Sequence, residues 1–112
     1  MNGITTHVLD TAQGRPAAGV PVMLERSVAD GWQIVGTGYT DADGRLRTLM
    51  PETMSVVRGT YRLTFDTRQY FDVGGVQAFY PRVVVEFETE DEEHYHVPLL
   101  LSPYGYSTYR GS

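Results

Sequence analysis

The 112-residue sequence predicts an all-β fold, a two-sheet β-sandwich with one short helix. Apolar and polar residues alternate with period two in most segments, as they do in strands that bury one face. Clusters of Gly, Pro and Asp separate these segments at the spacing typical of sandwich strands. Eight Tyr and twelve Gly also favour strands and turns. A chain of this length is expected to form a single domain over residues 1–112.

The first half of the chain reads as four strands joined by turns. We expect these strands at residues 4–9, 20–27, 32–39 and 45–49. A loop over 10–19 separates the first two, and Asp30-Gly31 turns the second strand into the third. Residues 40–44, Thr-Asp-Ala-Asp-Gly, form a turn whose residues tolerate tight or left-handed backbone. This turn leads directly into Arg45.

The middle of the chain contains the single predicted helix. Residues 51–59 show no clean period and are assigned only as a connection. Tyr61, Leu63 and Phe65 then restore the alternation of a strand. Residues 67–73 are predicted to form a short helix, because Gly74-Gly75 follows and glycine readily takes the positive φ found at helix C-termini.

The last third is predicted to contain a long hairpin and an edge strand. Residues 83–89 and 94–101 alternate on either side of the acidic segment 90–93, which we interpret as the hairpin turn. Residues 102–105, Ser-Pro-Tyr-Gly, turn the chain again. Residues 106–110 then close the fold as a final edge strand.

Composition excludes several classes of function. The chain has no cysteine, so it can form neither a disulfide nor a thiolate nucleophile. Its formal net charge of −5, without a basic run, argues against a nucleic-acid partner. No segment has the roughly 20 apolar residues of a membrane span, and residues 1–10 lack the features of a signal peptide. We therefore expect a cytoplasmic protein with no membrane partner.

The strand over 94–101 is the most informative for chemistry. Alternation places Tyr95, Val97, Leu99 and Leu101 on a face that looks like core. The opposite face carries His94, His96, Pro98 and Leu100. Two imidazoles beside apolar side chains are unusual for a purely solvated surface, so this face is predicted to be an interface that contains a site. Imidazole titrates near neutrality and can activate water without a metal.

Each candidate residue also has an ordinary structural interpretation. A strand histidine often only hydrogen-bonds or lies at the surface, and we assign His94 no role. His94 and His96 have the His-x-His spacing known from three-histidine zinc sites, and His7 could be the third ligand, although no carboxylate partner can be placed beside them. Arg45 is either an exposed arginine at a strand start or a planar charged fork for an anionic, amide-rich heterocycle. Removal of metal would test the zinc alternative.

The chain resembles the 5-hydroxyisourate hydrolases, the transthyretin-related proteins, over nearly its whole length. The resemblance begins with Thr-His-Val-Leu-Asp at residues 6–10 and Gly-Arg-Pro-Ala at 14–17. It continues through Thr-Asp-Ala-Asp-Gly-Arg at 40–45 and Tyr-Pro at 80–81. Its most specific part is residues 94–112, His-Tyr-His-Val-Pro-Leu through to Tyr-Arg-Gly-Ser. Asp41 departs from the asparagine common in the family.

This resemblance implies a transthyretin-like sandwich and a metal-independent hydrolase without a cofactor. It implies catalytic roles for His7, Arg45, His96 and Ser112. Ser112 would act through its hydroxyl or through the chain's own carboxylate. It also implies that Arg45 and the terminal Tyr109, Arg110, Gly111 and Ser112 contact the substrate, 5-hydroxyisourate. The reaction implied is the opening of that substrate during urate catabolism.

The resemblance also implies a homotetramer, a dimer of dimers with sites where subunits meet. The alternative function is a transthyretin-like, non-catalytic carrier of small ligands. Transthyretins themselves lack both histidines and the Tyr-Arg-Gly-Ser ending, so residues such as His7 and His96 favour the hydrolase. A sandwich that serves only protein interaction is a third possibility, and it predicts no loss of function when His7 is changed.

Overall fold

The computed structural model describes residues 3–91 and 93–112 and contains nine strands and one helix within them. In chain order these are β1 (Gly3–Asp10), β2 (Arg15–Pro16), β3 (Pro21–Val28), β4 (Gly31–Tyr39), β5 (Arg45–Leu46), β6 (Gly59–Phe65), α1 (Thr67–Val73), β7 (Val83–Thr89), β8 (His94–Ser102) and β9 (Gly105–Thr108). The predicted two-sheet β-sandwich with one short helix is confirmed.

The strands form two sheets. The first, here called the β1–β8 sheet, has the order β2-β1-β8-β9, with β5 also paired to β1. The second sheet has the order β4-β3-β6-β7. Strand β1 runs parallel to β8 from Gly3, opposite His94, to Asp10, opposite Leu101. The first long strand of the chain and one of the last therefore lie side by side.

The core lies between the two sheets, as the alternation predicts. On β8 the buried side chains are those of Tyr95, Val97, Leu99 and Leu101. They face Tyr61, Leu63 and Phe65 of β6, which are also buried. Burial of one such side chain stabilises the fold by about 1.5–3 kcal/mol. The alternate residues of β8 are consequently directed away from the core.

The helix α1 has the predicted bounds, and its ends show why. The Asp66 carboxylate accepts a hydrogen bond from the backbone N–H of Gln69 at 3.2 Å and so caps the first turn. Gly75, just past the last turn, has a φ of 68°. Phe71 buries its ring in the core and fixes the helix to the sandwich.

The predicted hairpin between β7 and β8 is wrong. Strand β7 pairs with β6 in the second sheet, whereas β8 lies between β1 and β9 in the other sheet. The acidic segment therefore crosses from one sheet to the other, and its Glu92 lies outside the described residues. Alternation shows which face of a strand is buried but not which strand lies at its edge, so a short polar segment fits either connection.

Three other differences from the prediction exceed one residue. The loop over 10–19 contains the two-residue strand β2, which pairs with the end of β1. The strand that begins at Arg45 ends at Leu46 rather than at residue 49. Strand β9 ends at Thr108, which pairs with Leu99; the next position along β8 is Pro98, which has no N–H to continue the ladder. The connection over 51–59 has no regular structure up to residue 58, as expected. Within the described residues no helix is long and apolar enough to cross a bilayer.

Candidate active site

A depression of about 250 Å³ lies on the face of the β1–β8 sheet that points away from the core. Its lining residues are Thr5, Thr6, Arg45, Arg47, His94, His96 and Ser112. Three of the four predicted catalytic residues are thus brought together, from β5, from β8 and from the last residue of the chain. They are Arg45, His96 and Ser112.

Strand pairing places the fourth predicted residue, His7, next to this depression. The parallel ladder sets Thr5 opposite His96 and His7 opposite Pro98. The short antiparallel pair between β1 and β5 sets His7 opposite Arg45. Directly opposed residues have Cβ atoms about 4.5–5.5 Å apart. The two predicted catalytic histidines therefore come from adjacent strands on one sheet face, with Arg45 beside the first of them.

The ring of His7 is held through its Nε2 atom. This nitrogen lies 2.9 Å from the backbone oxygen of Asp43. A carbonyl oxygen can only accept, so Nε2 carries the proton and donates it. In the neutral ring the lone pair then belongs to Nδ1. His7 is half-buried, so part of its ring stays accessible to solvent.

His96 is held from two sides. Its Nδ1 lies 2.8 Å from the hydroxyl oxygen of Thr5. On the other side Gly111 packs so closely that a Cβ there would lie 2.6 Å from Cδ2 of the ring. The Gly111 N–H also donates to the backbone oxygen of His96 at 2.7 Å. Glycine is therefore the residue that lets the C-terminal segment cross this histidine.

His96 is predominantly neutral at pH 7. Burial lowers its pKa below the usual 6.5, and the nearby positive charge of Arg45 lowers it further. His7, His94 and Arg47 act in the same direction. A neutral imidazole in a half-buried position can accept a proton from water, which is the property required of a general base.

Arg45 is positioned by the turn before it. The carboxylate of Asp41 accepts hydrogen bonds from the N–H groups of Asp43 at 2.8 Å and Arg45 at 3.0 Å. The Arg45 N–H is also the main reason that the pKa of Asp41 lies below its usual value. Gly44 closes the turn with a φ of 75°. Asp41 therefore orders this turn through its carboxylate.

Two arginines contribute positive charge to the depression. Among residues 3–91 and 93–112, neither Arg45 nor Arg47 forms an ion pair with a carboxylate. Both guanidinium groups contribute to the lining, and each can donate several hydrogen bonds to oxygen atoms. The site can therefore hold an anionic, oxygen-rich ligand beside a neutral imidazole.

The four predicted substrate-binding residues at the C-terminus separate into two places. Gly111 and Ser112 lie at the depression. Tyr109 and Arg110 instead line a groove of about 240 Å³ together with side chains that include Phe87 and Tyr95. The guanidinium of Arg110 lies 4.6 Å from the centre of the Tyr95 ring and 3.3 Å from a carboxylate oxygen of Glu93.

Sequence reasoning assigned no site role to four of the lining residues, Thr5, Thr6, Arg47 and His94. Thr5 hydrogen-bonds His96, and Arg47 contributes a second guanidinium to the lining. Alternation contained the signal for Thr5, since a residue two positions before His7 shares its face of β1. The same rule relates Arg47 to Arg45, although β5 itself ends at Leu46.

The geometry does not favour the zinc alternative. Within the described part of the chain, no three His, Cys, Asp or Glu side chains are grouped closely enough to hold a metal ion. His7 is hydrogen-bonded to Asp43, and His94 and His96 both contact the hydroxyl of Thr5.

Comparisons with known proteins agree on one family. The family model described as HIUase/Transthyretin matches residues 4–111. A 5-hydroxyisourate hydrolase of Salmonella typhimurium is 50% identical over 99% of this chain and 82% of its own length. The 5-hydroxyisourate hydrolase of Mus musculus is 47% identical, covering 97% of this chain and 94% of its own.

Two solved structures have the same fold. One is the 5-hydroxyisourate hydrolase of Klebsiella pneumoniae, with a TM-score of 0.87, 35% identity, and coverage of 100% of this chain and 94% of that one. The other is sea bream transthyretin in complex with thyroxine, with a TM-score of 0.89, 35% identity, and coverage of 96% and 93%. From the family match over 4–111 and these relatives, the chain belongs to the HIUase/Transthyretin family.

Proposed function

We propose that this protein hydrolyses 5-hydroxyisourate to 2-oxo-4-hydroxy-4-carboxy-5-ureidoimidazoline in urate breakdown. The observation that carries the proposal is the neutral His96 beside the guanidinium of Arg45 in one depression. Relatives at 47–50% identity over nearly the whole chain are named for this reaction. A neutral imidazole can act as a base and a guanidinium can bind oxygen, and these are two of the functions that hydrolysis of a cyclic amide requires.

In the proposed reaction, water attacks the C6 carbonyl and the N1–C6 bond of the six-membered ring breaks. His96 takes a proton from the attacking water, and the histidine pair returns one proton to the leaving N1. The hydroxyl oxygen stays on C6 as the new carboxyl group. His7 acts with His96 as the second member of the pair, one strand away. Each acid–base group of this kind contributes roughly 10²- to 10⁴-fold to the rate.

Arg45 has two proposed roles in this site. It binds oxygens of the substrate in the ground state and stabilises the oxyanion that develops on C6. Ser112 lines the same depression. It is proposed to complete the pocket and to act as a catalytic residue. Gly111, the residue before it, packs against the His96 ring. Tyr109 and Arg110 line the separate groove, and only the resemblance supports them as further substrate contacts; the KM of a Tyr109→Phe variant tests this.

The experiment that tests the function follows the ultraviolet absorbance of freshly generated 5-hydroxyisourate. Fast decay with the purified protein, unchanged after prolonged treatment with a chelator, supports a metal-independent hydrolase. His96→Asn and His7→Asn should each lower kcat by about 10²- to 10⁴-fold. Full activity in His96→Asn would contradict the assignment. Tyr104→Phe, at an exposed position outside the depression, is the control for mutation itself.

The similarity to transthyretin in complex with thyroxine supports one alternative function, a non-catalytic carrier of small ligands, which is tested in parallel. A non-catalytic carrier would not accelerate the decay of 5-hydroxyisourate but would bind iodinated aromatic ligands tightly. Isothermal titration with thyroxine separates the two functions. Decay at the spontaneous rate together with tight thyroxine binding would replace the hydrolase by the carrier.

We propose that residues 1–112 act as one domain in a homotetramer, a dimer of dimers with its sites at subunit interfaces. Apolar side chains on the site face support this assembly, because Leu9 and Leu100 stay partly exposed in the single chain beside the histidines. Sedimentation equilibrium should then give four times the mass of one chain. The expected cytoplasmic location is part of the same proposal, and cell fractionation tests it.

A further inference from the structure

Thr5 has an unusual place in the site. Its side chain is 6% exposed, yet it lies on the face of β1 that points to the depression rather than to the core. Its hydroxyl contacts two histidines, Nδ1 of His96 at 2.8 Å and Nε2 of His94 at 3.4 Å. The first distance is that of a good hydrogen bond and the second that of a weak one.

The contact to Thr5 decides which nitrogen of His96 is free. Nδ1 is occupied by the hydroxyl, so only Nε2 can act on a ligand. No buried side-chain nitrogen or oxygen lacks a partner in the described residues, and His96 Nε2 has no hydrogen bond there. Nε2 must therefore reach solvent, and His96 lines the depression.

A base needs a lone pair on the nitrogen that meets the water. For Nε2 to have it, Nδ1 must carry the ring proton and donate to the Thr5 oxygen. The hydroxyl proton then points elsewhere, and Nε2 of His94 is the acceptor in reach. Once His96 has taken a proton, the same Nδ1–H bond stabilises the imidazolium.

We propose that Thr5 is a positioning residue for His96: its hydroxyl accepts the Nδ1 proton and leaves Nε2 as the basic nitrogen in the depression. This inference rests on the proposed function for its effect on rate. It also gives His94 a place in the site, as the acceptor for the Thr5 hydroxyl proton. The arrangement parallels that of His7, whose tautomer is set by the Asp43 carbonyl.

The test replaces Thr5 by valine, which has nearly the same shape without the hydroxyl. Nitrogen-15 NMR of the histidine side chains should show His96 as the Nδ1–H tautomer in the wild-type protein. In Thr5→Val the signal should move toward the Nε2–H tautomer. We expect kcat for 5-hydroxyisourate to fall about tenfold, the loss of roughly one hydrogen bond, with KM nearly unchanged. Thr5→Ser should restore the Nδ1–H tautomer of His96 and the wild-type kcat.

Thr89→Val is the matched control. Thr89 is a threonine of the second sheet that is 5% exposed, and its hydroxyl donates to the backbone oxygen of Val57 at 2.7 Å. This variant should lose stability like Thr5→Val, measured by thermal unfolding, but keep the wild-type His96 tautomer and kcat. An equal fall of kcat in both variants would mean that lost stability alone explains the effect.

The NMR readout is independent of turnover. A wild-type His96 in the Nε2–H form, or a tautomer unaffected by Thr5→Val, would overturn the inference even if the protein is a fast hydrolase. Conversely, an Nδ1–H tautomer that depends on Thr5 in a protein without hydrolase activity would overturn the proposed function and leave the positioning by Thr5 in place.

Discussion

At the scale of single residues, the site combines two histidines that backbone and hydroxyl oxygens hold in defined orientations. The Asp43 carbonyl binds His7, and the Thr5 hydroxyl binds His96. Neither partner is charged, so the histidines are not drawn toward their protonated forms by a carboxylate. Positive charge beside His96 comes from Arg45 and disfavours its protonation.

This electrostatic arrangement predicts the pH dependence of the rate. In the proposed mechanism His96 must be unprotonated to act as the base, and burial and Arg45 lower its pKa. Activity should therefore persist below pH 6.5 and be lost only as the pH falls through the lowered pKa. In Arg45→Gln the pKa of His96 rises, so the acid limb of the kcat/KM profile should move to higher pH.

Steady-state rates between pH 5 and 8 measure this shift. Arg82→Gln, which removes an exposed arginine outside the depression, should leave the limb in place. An acid limb at the same pH in Arg45→Gln and the wild type would show that the arginine does not act on His96. The expected fall in kcat/KM itself tests the separate role proposed for Arg45 in binding substrate.

Alternation predicted which residues share a face, but not their hydrogen bonds. It placed His96 on the face opposite the core, where the structure has it. It could not identify the Asp43 carbonyl as the partner of His7, because that contact depends on how the turn over 40–44 folds back onto β1. The convergence of His7 with Arg45 came from the resemblance, since no periodicity relates two strands so far apart in the chain.

At the scale of elements, the C-terminal segment depends on a glycine. Gly111 pairs with His96 of β8 and so continues the antiparallel register of β9, which is interrupted at Pro98. In Gly111→Ala the new methyl group would meet His96 Cδ2 at 2.6 Å, so either the segment or the imidazole must move. We expect kcat/KM to fall at least tenfold, because small misplacements of reacting groups are costly.

Gly105→Ala provides the matched control. The nearest atom to its new methyl group would be the Ser102 hydroxyl oxygen at 3.6 Å, an ordinary contact. Measurements of thermal unfolding and of kcat/KM should therefore show that the two variants differ mainly in kcat/KM. Wild-type kinetics in Gly111→Ala would mean that the segment does not constrain His96.

A buried carboxylate connects the helix to the site sheet. Asp10, 1% exposed at the end of β1, accepts hydrogen bonds from the Tyr70 hydroxyl at 2.7 Å and from the Gln13 side chain at 2.8 Å. Burial acts to raise the pKa of Asp10, but these bonds outweigh it and the pKa is lowered. Burial and the bond to Asp10 raise the pKa of Tyr70 to about 12.

Tyr70→Phe should therefore lower the free energy of unfolding by about 1.5–3 kcal/mol at pH 7, as expected for a hydrogen bond to a charged group. Because the folded-state pKa of Asp10 is lowered, this contribution is present above pH 3.8 and is lost as the pH falls through that lowered pKa. Urea unfolding at several pH values measures it. Tyr104→Phe, at a position 66% exposed, should change stability by less than about 0.5 kcal/mol.

At the scale of the whole molecule, the site face is also the proposed assembly face. Leu9 and Leu100 are paired across β1 and β8 on that face and are only half-buried. Leu100→Arg should dissociate the tetramer, since a buried, unpaired charge at an interface is strongly unfavourable. The circular dichroism of the strands should be retained, because this side chain is not part of the core cluster.

Sedimentation velocity measures the result. Ile34→Arg places the same charge at a 60% exposed position of β4, in the other sheet, and should leave the mass unchanged. A Leu100→Arg protein that keeps the wild-type mass would show that the subunits do not meet on this face. The sequence favoured such an interface from the apolar residues beside the histidines, but no pattern in one chain gives the geometry of its copies.

The parallel pairing of β1 with β8 has a consequence for how the protein is made. Thr5 and His96 are 91 positions apart in the chain. At translation rates of about 5–20 residues per second, β1 leaves the ribosome on the order of 5–20 s before β8. During that interval the apolar residues Ile4 and Val8 have no long strand beside them and are open to chaperones. The proposed pair of His7 and His96 is therefore assembled only after nearly the whole chain has been synthesised.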